Sequence, residues 1–92
     1  MPQVTAVSIK TSDGAAKSSP GVVYWVAVSA GATGGAFQLN DSTDDSGTDI
    51  IDITVAATTT QFFDFTGAPI SFGTGIYVDV PGTNLKVNVG YA

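Results

Sequence analysis

Apolar positions along this chain recur at every second residue almost throughout, and almost nowhere at helical spacing. Val, Thr, Ile and Gly are abundant while Glu and Arg are absent, so helix formers are scarce and strands dominate the expectation. A first strand is expected over 4–10, with Thr5, Val7 and Ile9 on one face and Val4, Ala6 and Ser8 on the other. SDGAAKSSPG, 12–21, reads as a loop because Asp-Gly and Pro-Gly punctuate it. The next strand, VVYWVAVS over 22–29, alternates Val22, Tyr24, Val26 and Val28 with Val23, Trp25, Ala27 and Ser29. Both sets are apolar enough for a central strand covered on each side, or covered on one side by a partner.

AGATGG, 30–35, is a tight connection into AFQLN, whose Phe37 and Leu39 are expected in the core. IIDITV, 50–55, alternates Ile51, Ile53 and Val55 inward with Asp52 and Thr54 outward. In TQFFDF, 60–65, Phe63 and Phe65 share one face and Phe62 and Asp64 the other, before Gly67 and Pro69 break the strand. The last segment, ISFGTGIYVDV, then PGTN at 81–84, then LKVNVGYA, reads as a hairpin with one dry and one wet face. Ile76, Val78, Val80, Leu85, Val87, Val89 and Tyr91 would form its dry side. Seven or eight short antiparallel strands separated by turns predict a single β-sandwich domain over 1–92, jelly-roll-like or immunoglobulin-like. Pattern alone does not separate those two orders.

Composition narrows the chemistry. The chain has no Cys, His, Glu or Arg, eight Asp and three Lys, and a net charge of −5. Without His or Cys, neither a Ser-His-Asp nor a Cys-His arrangement can be built, so no enzyme activity and no catalytic residues are expected. Lys10, Lys17 and Lys86 are too few to line a nucleic acid backbone or attract an anionic membrane. No run approaches bilayer-spanning length, and MPQVTAVSIK lacks the charged start and apolar core of a secretory signal. The expectation is therefore a soluble protein that stays where it is made or leaves by another route.

NDSTDDSGTD, 40–49, concentrates four of the eight acidic residues. Closely spaced Asp, Asn and Ser oxygens suit calcium, and Asp41, Asp44, Asp45 and Asp49 are the candidate ligands. An EF-hand register started at Asp41 puts Ser46 at position six and Asp52 at twelve; started at Ser42 it puts Gly47 at six but Ile53 at twelve. Neither meets the requirement for Gly at six and Glu at twelve. The same residues are those of a hairpin turn, with Phe37 and Leu39 on one paired strand and Ile51 and Ile53 on the other. The turn is the expectation, with no metal and no cofactor. FGTGIYV, 72–78, has glycines without a following helix or a nearby Lys, so a kink or bulge is expected there rather than a phosphate loop. Trp25, Tyr24 and Tyr77 could form an aromatic platform for a sugar or protein, against core packing as the simpler role for Trp25.

GVVYWVAVS, GGAFQLNDSTDDSGTDI and GIYVDVPGTNLKVNVGYA together resemble a group of small all-β virion proteins of tailed bacteriophages, over 21–92. The resemblance implies a capsid-decorating or other head or tail accessory subunit, assembled as a homo-oligomer. Its partners would be the major capsid protein or other virion subunits, and it would be made in the host cytoplasm and reside in the virion. It implies no functional residue. The other function class compatible with the sequence is a small β-sandwich binding module for carbohydrate or a host surface, assisted by calcium at the acidic loop.

Overall fold

The computed structural model describes residues 6–80 and 84–92, and these form nine strands in two antiparallel sheets with no helix. In chain order the strands are β1 (Ala6–Lys10), β2 (Gly14–Lys17), β3 (Gly21–Ala30), β4 (Gly35–Asp41), β5 (Thr48–Val55), β6 (Thr60–Asp64), β7 (Ile70–Phe72), β8 (Ile76–Asp79) and β9 (Leu85–Tyr91). One sheet runs β1-β9-β3-β6, with β7 also paired to β3; the other runs β2-β8-β4-β5.

The pairings describe one long hairpin folded over on itself. β4 pairs with β5 at its tip, β3 with β6 and β7 next, then β2 with β8, and β1 with β9 at its open end. β6 and β7 are two halves of one edge strand, because β6 pairs Trp25 through Ser29 and β7 pairs Gly21 through Val23 of the same neighbour. Gly67 and Pro69 fall in the interruption between them, where Pro has no N–H to donate to a ladder. Counted as eight, the strands wind as a jelly roll, and the extra segment accounts for nine rather than seven or eight. An immunoglobulin order would keep the last two strands side by side in one sheet, which they are not.

The core lies between the sheets. Val23, Val26, Val28, Phe72, Leu85, Val87 and Val89 from the five-stranded sheet meet Phe37, Leu39, Ile51, Val55, Ile76, Val78 and Val80. Burying each large side chain is worth about 1.5–3 kcal/mol, which is the main stabilising term for a chain without disulfides. The pairing expected across the acidic turn is present, Phe37 opposite Ile53 and Leu39 opposite Ile51. The expected split of Phe63 and Phe65 from Phe62 and Asp64 is present, and the first pair packs against the core while the second faces out.

Four expectations are corrected. The 12–21 loop contains β2, whose small residues hydrogen-bond to β8 through backbone at the edge of the four-stranded sheet. β8 and β9 do not form a hairpin: their dry faces look at each other from opposite sheets. Of the PGTN turn, 81–83 lie outside the described residues, as do 4 and 5 of the first expected strand. The GTG segment is not a kink or bulge entering a strand but the turn that carries the chain from β7 in one sheet to β8 in the other. Finally, alternation along β3 fails at Tyr24. Val23 pairs with Tyr91 and Trp25 with Gly90, so β3 has one extra residue there, a bulge. Val23 therefore shares the core face with Val26 and Val28 instead of lying with Trp25, Ala27 and Ser29.

Candidate functional site

Beyond the bulge, the outward residues of the five-stranded sheet follow directly from register. Val7, Gly90, Trp25 and Asp64 stand in one row across β1, β9, β3 and β6; Ile9, Asn88, Ala27 and Phe62 form the next. Lys86, Ser29 and Thr60 form a third. Val7, Ile9 and Phe62 are 52%, 62% and 62% exposed, which gathers three of the four exposed large apolar side chains of the described residues on this single face. Ile50, the fourth, is on the other sheet.

Trp25 is the centre of the patch. Its indole lies over Gly90 and its ring centroid is 5.9 Å from that of Phe62, tilted by 35°. The missing side chain at Gly90 gives the indole its seat, since a Cβ there would fall 2.2 Å from Trp25 Cε2. Trp25 is half-buried and lies outside the core cluster, which corrects the core role. The platform of Trp25, Tyr24 and Tyr77 is also corrected: Tyr77 is on β8 in the other sheet, Tyr24 is the bulge residue, and the companions of Trp25 are Phe62, Val7 and Ile9. Alternation marked Phe62 as sharing a face with Asp64, but only the β3–β6 register puts it beside Trp25.

Polar groups within the patch are already engaged. Asn88 donates its Nδ2–H to the Ala27 carbonyl at 3.2 Å. The Asp64 carboxylate accepts the Thr66 hydroxyl at 2.7 Å and the Thr66 N–H at 2.9 Å, and these bonds hold its pKa below the usual carboxylate value.

The opposite face of the sandwich is anionic. Asp79, Gln38 and Asp52 share a row across β8, β4 and β5, and the next row carries Tyr77, Asn40 and Asp49. Asp13, just before β2, accepts the Val80 N–H at 2.7 Å and hydrogen-bonds with Asp79. Burial raises the Asp79 pKa first, and the charge of Asp13, that hydrogen bond and the charges of Asp45 and Asp49 raise it further. The Tyr77 hydroxyl is likewise pushed up, by burial and then by Asp13, Asp45, Asp79 and Asp44.

Three of the four carboxylates of the acidic turn, those of Asp41, Asp44 and Asp49, go to different partners. Asp41 leaves the loop altogether: its carboxylate accepts N–H groups from Thr74 at 2.7 Å, Gly73 at 3.0 Å and Gly75 at 3.4 Å. The GTG turn thus does form an anion-binding nest, and the chain's own Asp41 fills it. Asp44 closes the turn by accepting from the Ser46 N–H and from the hydroxyls of Ser42 and Ser46. Asp49 accepts from the Nδ2–H of Asn40, a side chain only 1% exposed. Among the described residues, no three carboxylates are grouped to hold a metal ion. The loop itself is shorter than 40–49, because β4 runs through Asp41 and β5 starts at Thr48.

Comparison with known proteins finds no matching family model, no matching curated sequence and no matching solved structure.

Proposed function

We propose that this chain is a non-enzymatic structural protein, a bacteriophage virion subunit that decorates or stabilises the capsid, or fills another head or tail accessory position. The observation that carries the reading is the apolar face formed by Val7, Ile9, Trp25 and Phe62, presented on a rigid sheet rather than on loops. A patch of this kind on a small domain marks a surface that a protein neighbour covers. The virion assignment rests on the resemblance of the three segments over 21–92. The jelly roll agrees with it but does not choose, because viral shell domains and lectins share that layout.

The second reading is a carbohydrate-binding module, and the Trp25–Phe62 ring pair is what favours it. Sugar recognition needs polar groups beside the stacking ring to bind hydroxyls. Here the neighbours of the rings are Val7 and Ile9, and Asn88 and Asp64 already bond to their own chain, which supports a protein neighbour instead.

The test is co-sedimentation with capsid shells of a tailed phage. Saturable binding that a chelator does not disturb supports the structural role. Failure to bind shells, together with a glycan-dependent rise in melting temperature, would replace it with the lectin-like reading.

A further inference from the structure

The charge layout says which neighbour fits the apolar face. Asp13, Asp49, Asp52 and Asp79 lie on or beside the outer face of the four-stranded sheet, and the turn carrying Asp44 and Asp45 is close enough to act on Tyr77. The outer face of the five-stranded sheet carries one acid, Asp64 on β6, and one base, Lys86 on β9, in its first and third rows. A chain of net charge −5 repels its own copies over most of its surface, yet on this face the charges balance. Face-to-face packing here also puts the two anionic faces as far apart as the molecule permits, on the outsides of the pair.

We propose that the outer face of the five-stranded sheet is an isologous interface with a second copy of this chain, centred on Trp25, Phe62, Val7 and Ile9. This rests on the structural-subunit reading and names its first partner. A two-fold axis running along the strands between β9 and β3 sets β1 of each copy over β6 of the other, which places Ile9 against the partner's Phe62. The same operation brings Val7 over the row end that carries Asp64 and leaves Lys86 facing Ser29 and Thr60, so no like charges meet. Size is adequate. The molecule measures 36 × 28 × 17 Å, so its broad face offers about 1,000 Å², against the roughly 800 Å² per partner of a standard interface. Two such sandwiches stacked on these faces leave both anionic faces and both acidic turns free for other partners.

The test is sedimentation velocity of the full chain across a concentration series, for the native sequence and for Phe62→Asp, Ile9→Asp and Ile50→Asp. The native chain and Ile50→Asp should share a monomer–dimer equilibrium, because Ile50 is exposed on the other sheet. Phe62→Asp and Ile9→Asp should weaken it by roughly tenfold or more while keeping the native circular dichroism spectrum. The absence of Cys allows a second readout: oxidising a mixture of Ile9→Cys and Phe62→Cys chains should give a cross-linked heterodimer, with little from either variant alone. A native chain that is monomeric at every concentration overturns the proposal, as does an Ile50→Asp variant that alone loses the dimer. A monomer that still binds shells would refute this interface and leave the structural role standing; a dimer that ignores shells would do the reverse.

Discussion

The indole of Trp25 occupies the space that a side chain on Gly90 would need, with Cε2, Nε1 and Cζ2 at 2.2, 2.3 and 2.7 Å from the position of a Cβ. The two residues are register partners on β3 and β9, so this contact fixes the aromatic centre of the exposed face to the middle of its sheet. Gly90→Ala should therefore tilt the indole away and disturb its contact with Phe62. Trp25 is the only Trp, so its emission reports this directly: the variant should shift to longer wavelength and lose melting temperature. An unchanged spectrum would mean that the indole does not rest on Gly90.

Asp41 links the tip of the long hairpin to the crossover between sheets. Its carboxylate is held below the usual value of 3.8, first by the Thr74 N–H and then by Gly73, while the Ser46 hydroxyl does the same for Asp44 and the Thr66 hydroxyl for Asp64. Each folded pKa lies below the unfolded one, so this stabilisation is complete above about pH 4 and is lost as pH falls through the lower folded values. Melting temperature should drop below about pH 4, and Asp41→Asn should flatten that drop. Equal acid slopes for the native chain and Asp41→Asn would refute the role given to the nest.

Asp79 acts with the opposite sign. Its folded pKa is raised, by burial before any charge, so the proton it holds stabilises the fold at low pH and that benefit disappears as pH rises through the folded value. Asp79→Asn mimics the protonated form. Thermal melts should show it about 1–3 °C more stable than the native chain at pH 7 and equal at pH 3. A loss of stability at pH 7 would show that the carboxylate is favourably paired.

Inside the sandwich, Phe37→Ala should cost about 3–5 kcal/mol in denaturant unfolding, because Phe37 is fully buried among both sheets. Phe62→Ala, measured at high dilution, should stay within about 0.5 kcal/mol. Similar losses for both would contradict the assignment of Phe62 to the outside.

These contrasts indicate what the sequence could and could not disclose. The Phe37–Ile53 and Leu39–Ile51 pairs were legible because both strands alternate cleanly on either side of one turn, and local pattern then sets register. β2 was hidden because Gly14, Ala15 and Ala16 carry no alternation of their own and depend on β8 for pairing. The bulge at Tyr24 left no mark in a run where every residue is apolar, and it reassigned Val23. The assignment of β8 and β9 to different sheets has no local signature either, since a dry face looks the same whether it meets its neighbour edge-on or from across the core. Asp41 with Gly73, and Trp25 with Phe62, are contacts between segments more than thirty residues apart, which no local spacing encodes.

In the proposed role the Trp25 face is covered by protein. Acrylamide quenching of Trp25 emission, followed from nanomolar to high micromolar chain and then with capsid shells added, measures that cover. Trp25 should become steadily less accessible as chain concentration rises and stay protected on shells. Quenching that is equally strong at every concentration and unchanged by shells would contradict it.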